Sequence, residues 1–437
     1  MAFGGRQSQA VMAALRTPID AVSATVRRHR ADYLIVLYMG LLMLFGLIIM
    51  YAIGPQRANV LNNAYGGDYS DTYFFVKQLV SLGLALGAFA VMAIVPYGWT
   101  LKRGGLILVV SLIACAVLAV AGWAHLGIAQ GASDFGANRW FNLGAFGSLQ
   151  PAEIVKFGML IFVAGFLGTK AKQGKVSDLH GTLIPLGIIT AIAMLFIVVI
   201  QKDLGTGIAL TSILVTMFVV AGISKKVGLG LLVVALIAGV IFIVSAPHRL
   251  DRIATFAQGD NTTAGDSSSY QIEHAKMAIG SGGLFGVGIG NSVQATGYLP
   301  EAINDSVFAI IGETFGFVGL MAILAIFVAL LVRLLQIMDH LIDIRLKLLV
   351  AGVFGWLGAH VILNIASMIG LIPLTGITLP LLSFGGTSMI FIAAALGLVF
   401  QLSRYTVHSS RLTENSHEDT RSRRGLGRPR YTSRRSS

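Results

Sequence analysis

Six ionisable residues lie where an apolar chain is least expected to keep them. Lys77, Glu153, Lys156, Asp203, Asp305 and Glu313 each sit inside or at the edge of an apolar run. A charge within lipid costs roughly 2.5–3.5 kcal/mol on insertion scales, so such residues are retained for pairing or for function. A carboxylate at the mouth of a membrane segment can accept a proton from a hydroxyl, and a basic side chain can hold an anion.

The stretch "LPEAINDSVFAIIGE", residues 299 to 313, carries three acids. Asn304 and Asp305 are good N-caps for a helix starting at Ser306, and a cap position keeps a carboxylate ionised through the helix dipole. The same carboxylate can take a hydroxyl proton late in a displacement, once that proton has become acidic. Both readings of Asp305 stand on the residues alone. Glu301 lies four residues earlier, and Glu313 falls about 12 Å below Asp305 at about 1.5 Å per residue, where pairing within the bundle is the expectation.

Two further stretches have similar double readings. In "ANRWFNLGAFGSLQPAEIVKFG", Pro151 suits the first turn of a helix and Glu153 complements its positive end, with Lys156 three residues on along the same face. That is either a capped helix start with an ion pair or, with Arg139, the lining of an anion-holding outer cavity. "LIPLTGITLPLLSFGGTSMI" has no charge, and enters its helix through Gly385 and Gly386, after Ser383. Free N–H groups and hydroxyls at a helix start suit a phosphate, while a tight re-entrant turn needs the same residues for packing. Asn364 bonds a neighbouring helix on this reading.

The elements that position these residues follow from composition. Of 437 residues 55% are hydrophobic and only 12% charged, and mean hydropathy is +0.78, so lipid is the solvent for most of the chain. Runs near twenty residues occur at about 32–54, 73–96, 105–124, 152–169, 182–200, 204–223, 227–246, 306–334, 346–372 and 386–403. They are apolar on every face, which predicts an all-α fold of ten membrane helices rather than a barrel. With both termini inside, 24 of the 32 Lys and Arg fall on the inner side and six outside, as the positive-inside rule requires. Topology therefore accounts for the net charge of +12, and nucleic acid is not implied.

The organisation predicted is a cytoplasmic leader (1–31), a membrane domain (32–403) with a large outer loop (247–305), and a disordered basic tail (404–437). The tail reads as a tether to anionic lipid, with a cytoplasmic partner as the alternative. Within the outer loop, Tyr270 to Ile279 is expected to form a short amphipathic helix. Its glycine run lacks the spacing and βαβ setting of a nucleotide site, so no nucleotide is expected. The single cysteine, Cys115, lies in an apolar segment and reads as a packing residue.

Together, "RWFNLGAFGSLQPAEIVKFG", "QKDLGTG", "AIGSGGLFGVGIGNSVQATGYLPEAINDSVFAIIGETFGFVG" and "IGLIPLTGITLPLLSFGGTS" make the chain resemble the SEDS family, the polytopic glycosyltransferases that include RodA and FtsW. The resemblance spans about residues 32–403 and is closer to FtsW. It implies a ten-span enzyme of the bacterial cytoplasmic membrane that polymerises lipid II on the outer face, by an inverting displacement, in cell division. It implies Asp305 as catalytic base, Arg139, Gln150, Glu153, Lys156, Glu301, Ser383, Gly385 and Gly386 as substrate-binding residues, and a divalent cation, magnesium or manganese, as a cofactor candidate. A class B penicillin-binding protein is the implied partner, alongside other divisome or elongasome proteins. The pattern departs from the family at Lys202, Ala152, Ser306, Phe384 and His360, where proline, serine, phenylalanine, tyrosine and glutamine are usual. The rival from another class is a flippase for a lipid-linked precursor, against which the sequence shows no inverted repeat and no Gly/Pro-broken helix pair at mid-membrane.

Overall fold

The computed structural model describes residues 30–132, 137–142, 144, 147–244, 250 and 267–406. Nearly all of the leader, the tail beyond Thr406 and residues 251–266 of the outer loop lie outside these described residues, and so do the expectations for leader and tail. The helices are α1 (Tyr33–Tyr65), α2 (Tyr73–Ile94), α3 (Tyr97–Trp123), α4 (Pro151–Lys172), α5 (Leu179–Ile200), α6 (Leu204–Val220), α7 (Lys225–Val244), α8 (Ser267–Ser281), α9 (Val307–His340), α10 (Ile344–Met368) and α11 (Gly386–Leu402). Each of the ten apolar runs falls on a helix of its own, and α8 is the amphipathic helix expected in the outer loop. Among the described residues nine helices are long and apolar enough to cross a membrane, while α6 has 17 residues.

Burial divides the bundle into a centre and a periphery. Helices α4, α10 and α11 are largely buried by their neighbours, whereas α7 buries no residue at all. A helix this apolar with most of its surface uncovered needs lipid around it, and α7 meets the core only at its edge, through Phe242. At the end of the bundle away from Asp305, Arg333 of α9 donates to Asp32, the cap of α1, at 2.5 Å, and the Asp32 N–H donates to Ser403 just beyond α11 at 2.9 Å. The start of α1, α9 and the end of α11 are thereby fastened to one point.

Two features depart from the sequence expectation. The outer loop before α4 folds into a small antiparallel sheet, β1 (Ala129–Ala132), β2 (Ala137–Asn142) and β3 (Ser148–Leu149), in the order β1-β2-β3. Its strands are too short to give a periodic signal. The second departure is in α9, which is interrupted at Gly316, with φ 67° and ψ −166°. Only glycine takes that backbone conformation without strain. The groups freed by the break bond to the glycine run that precedes it: Val287 N–H donates to Glu313 O, Gly288 N–H to Thr314 O, Phe317 N–H to Gly283 O and Val318 N–H to Leu284 O. A Cβ at Gly282 would lie 1.9 Å from Gly312 O, at Gly286 2.2 Å from Thr314 O, and at Gly316 2.4 Å from Gly286 N. The glycine run therefore exists to let two backbones touch. The sequence reading counted no broken helix here, because the break is stabilised by residues some thirty positions away.

Candidate active site at the Asp305 end of the bundle

Asp305 lies in the turn that leads into α9, and three elements converge on that turn. From α10, Asn364 is fully buried and donates both amide hydrogens, to Asp305 O and to Ile377 O, at 2.7 Å each. From α8, Gln271 Nε2 reaches Ser306 Oγ at 2.9 Å and Asp305 Oδ1 at 3.5 Å. From the re-entrant loop before α11, Phe384 N–H donates to Ile303 O at 2.8 Å. The helix begins at Val307 with Ser306 in the cap position, one residue later than expected, and Ser306 Oγ donates to Pro300 O instead of capping. The carboxylate of Asp305 is half-buried beside Gln271.

The other acids of the opening stretch separate by role. Glu301 is exposed, adopts φ 51°, and its carboxylate accepts from Asn304 Nδ2. Its backbone carbonyl takes N–H bonds from Asn304 and Ser306, which closes the turn. Glu313 is 2% exposed and accepts from Ser292 Oγ at 2.5 Å, Val293 N–H at 3.0 Å and Gln294 N–H at 3.3 Å. It does not pair with a base in the bundle; it anchors the outer loop. Lys77 is exposed, with its ammonium 4.8 Å from the centre of the Tyr73 ring.

The remaining predicted residues form a second layer around α4. Gln150 is the cap residue of α4; its N–H donates to Thr387 Oγ1 at 3.3 Å and its side chain to Asp203 Oδ2 at 3.1 Å. Asp203 in turn caps α6 through the N–H and hydroxyl of Thr206, and Thr387 donates to Ser148 O. Arg139, on β2, spends its guanidinium on the carbonyls of Gln201 and Lys202, at 3.0 and 2.9 Å. It fastens the sheet to the α5–α6 turn through Nε and Nη2, with Nη1 outside these bonds. Lys202 has φ 53°, which a proline ring held near −65° cannot adopt, so this turn as built has no room for the proline that the resemblance leads one to expect here.

Glu153 and Lys156 form the ion pair that their spacing predicts, at 2.8 Å, with exposures of 3% and 0%. The ammonium also meets His360 Nε2 at 3.2 Å and lies 4.9 Å from the Trp356 ring centre. Trp356 Nε1–H donates to the same His360 nitrogen at 3.3 Å, and His360 Nδ1 faces Thr378 O at 3.4 Å. With two donors aimed at Nε2 and a carbonyl at Nδ1, the ring is neutral with its hydrogen on Nδ1. Lys156 is enclosed by these partners rather than presented to an open cavity. One oxygen of Glu153 is buried without a partner, which marks a place where the layer is incompletely satisfied.

The two layers are joined through α10. His360 and Asn364 are four residues apart, about 6 Å along the axis, and they hold the adjacent carbonyls of Thr378 and Ile377. Ser383 is 5% exposed; its hydroxyl accepts from Leu379 N–H at 2.8 Å and its carbonyl from Gln78 Nε2 at 3.4 Å, which makes it a turn-former. Gly385 and Gly386 open α11 beside Phe384, so their N–H groups start a helix next to the Asp305 turn. Sequence reasoning missed Gln271, Trp356 and the role of Thr387. Gln271 was detectable as a polar position on the predicted amphipathic helix; the other two lack a pattern of their own. Among the described residues no group of three or more His, Cys, Asp or Glu converges as a metal site, and at the Asp305 turn the carboxylate of Glu301 is bonded to Asn304.

Comparison with known proteins bears on this geometry. Residues 32–408 match the FTSW_RODA_SPOVE family, described as cell cycle protein. The chain is similar to stage V sporulation protein E of Bacillus subtilis, with 34% identity over 387 residues, 87% of this chain and 99% of that one. It is also similar to the probable peptidoglycan glycosyltransferase FtsW of Aliivibrio salmonicida, 32% identical over 336 residues, 76% of this chain and 80% of that one. Among solved structures, a chain from a study of the coordination of polymerization and crosslinking by a peptidoglycan synthase complex superposes with a TM-score of 0.67 at 23% identity, covering 86% of this chain and 98% of that one. The rod shape determining protein RodA of Thermus thermophilus gives 0.60 at 23% identity, covering 87% and 98%.

Proposed function

The chain belongs to the FtsW, RodA and SpoVE family of cell cycle proteins, and from that membership we propose that it is a peptidoglycan glycosyltransferase of the bacterial cytoplasmic membrane, acting in cell division. The names of its relatives support the activity, and those relatives named FtsW support the division role. The substrate is lipid II, polymerised at the outer face with both chain termini in the cytoplasm. The observation that carries the site assignment is the triple fixation of the Asp305 turn by Asn364, Gln271 and the Phe384 N–H. A helix start needs no such convergence, whereas a base that must meet a hydroxyl within a fraction of an ångström does.

In the proposed step a sugar hydroxyl attacks the anomeric carbon of a lipid pyrophosphate donor. The hydroxyl proton passes to Asp305 as the new C–O bond forms, and the bond to pyrophosphate breaks with its electron pair leaving on the phosphate oxygen. Attack on the face opposite the leaving group inverts the anomeric carbon. The N–H groups at Gly385 and Gly386 and the free edge of Arg139 stabilise the departing negative charge. Lys156 contributes its positive charge from the layer beneath while Glu153 and His360 hold it in place. Gln150 and Ser383 shape the walls by fixing their backbones, and Glu301 by closing the turn.

A class B penicillin-binding protein is the proposed partner, a reading supported by the likeness to a chain of a peptidoglycan synthase complex. One observation favours the transport alternative, the break in α9, because interrupted helices are common in transporters. Its freed backbone groups are occupied by the glycine run rather than facing a passage. Purified protein supplied with lipid II and partner should make glycan polymer, and Asp305→Ala should abolish it. Lipid movement across vesicles without polymer, unchanged in Asp305→Ala, would overturn the enzyme reading.

A further inference from the structure

Three rings stand together on the outer surface beside the Asp305 turn and have no part in the proposed displacement. Tyr270 and His274, one turn apart on α8, have ring centres 4.1 Å apart at 38°. Tyr298, seven residues before Asp305, lies parallel to His274, at 6.2 Å and 11°. The two tyrosines are 43% and 53% exposed, so each keeps ring surface uncovered besides the side turned to His274. The histidine between them is locked: its Nδ1 meets Gln294 Oε1 at 2.7 Å, and the Gln294 N–H is held by the carboxylate of Glu313. Immobilised aromatic surface left uncovered is a binding feature, because loops that need only to fold bury or dispense with such rings.

The surroundings decide what fits there. Gln271, which donates to Asp305, shares a helix face with His274, so the rings stand one side chain away from the proposed base. Gln294 edges the group with a polar amide, and Glu273, bonded to Ser269, lies three residues from Tyr270 on the same helix. A pyranose ring has a face of polarised C–H groups, suited to the negative face of an aromatic ring, and a rim of hydroxyls suited to amide and carboxylate neighbours. We infer that Tyr270, His274 and Tyr298 form an aromatic shelf that stacks a sugar ring of the glycan strand adjacent to the reacting one, an assignment that rests on the glycosyltransferase reading.

The shelf is tested in two arms on the full chain. In the first, the Asp305→Asn protein in phosphatidylcholine nanodiscs is mixed with a lipid-free N-acetylglucosamine tetramer and saturation transfer to the sugar C–H protons is measured by NMR. Transfer is expected, reduced roughly three- to tenfold by Tyr298→Ala or Tyr270→Ala and kept by Tyr298→Phe, which retains the ring. In the second, polymerisation by protein with intact Asp305 should show KM for lipid II raised three- to tenfold by the alanine changes, with kcat within twofold and the phenylalanine variant normal. Absence of transfer to the parent chain, or equal loss in the alanine and phenylalanine variants, overturns the shelf. So do alanine variants that keep both binding and KM but loosen the outer loop from the bilayer, which would make the rings an interfacial belt. The first arm needs no turnover, so failure of the parent chain to polymerise lipid II refutes the activity separately.

Discussion

Replacing Glu313 by glutamine tests the claim that this buried acid holds the outer loop in place. Its Oε2 accepts from Ser292 Oγ at 2.5 Å and Gln294 N–H at 3.3 Å, and its Oε1 from Val293 N–H at 3.0 Å. Glutamine fills the same volume but is neutral: its NH2 group can only reverse the bond to Ser292 Oγ, and its oxygen is a weaker acceptor for the Val293 and Gln294 N–H groups. Hydrogen bonds to a charged group are worth about 1.5–3 kcal/mol each, against about 1 kcal/mol for a neutral pair. A loss of about 1 kcal/mol at each of these contacts gives about 3 kcal/mol, more than a hundredfold in the opening equilibrium of the loop. Hydrogen exchange read by mass spectrometry on the purified protein reports that equilibrium directly. Peptides covering residues 287–298 should lose about two orders of magnitude of protection in Glu313→Gln, while peptides from α10 and α11 keep theirs. Unchanged protection over 287–298 would refute the anchoring role. Equal loss across the whole bundle would refute its locality.

His360→Gln should retain near-parental stability and polymerisation, since glutamine offers one acceptor to Lys156 and one donor to Thr378 O. His360→Leu removes the acceptor shared by Lys156 and Trp356 and should cost about 1–3 kcal/mol, seen as a lower Tm in detergent; equal Tm values in the two variants would count against the arrangement. In the turn between α9 and α10, partial burial acts to raise the Asp343 pKa, but hydrogen bonds from Arg345 and Lys172 outweigh it and hold the carboxyl down at about 2, against an ordinary 3.8. A folded-state pKa below the unfolded one gives stability that is present above about pH 4 and lost as pH falls towards 2. Asp343→Asn should therefore flatten the fall in Tm between pH 4 and 2, and a parallel fall in both proteins would show the pair to be inert.

The sequence made some of this site readable because the signals were local. The i,i+3 spacing of Glu153 and Lys156, the Pro151 helix start and the acid-bearing entrance to α9 each depend on neighbours within one turn, and all three stand in the structure. What stayed hidden depends on contacts between distant segments. His360 lies on a helix that is apolar for most of its length, and only tertiary packing puts Lys156 and Trp356 on the same ring nitrogen. The glycine run 282–290 lacks the spacing of a phosphate loop, and its purpose shows only when α9 is placed against it. The α5–α6 turn gives a third case: the substitution at Lys202 is visible in the sequence, while the left-handed backbone it adopts is not.

The break at Gly316 divides α9 into unequal parts, and the division sets which part of the molecule carries the proposed base. Residues 307–315 are bonded to the glycine run and, through Glu313, to the loop at 292–294, and Phe317 and Val318 are bonded to the same run from the other side of the break. With Asp305 also held to α10 by Asn364, the short part is clamped on both sides, and Gly316 lets the chain change direction without loosening that clamp. The glycine run and α10 are therefore the two supports through which a strain elsewhere in the molecule would reach the Asp305 turn.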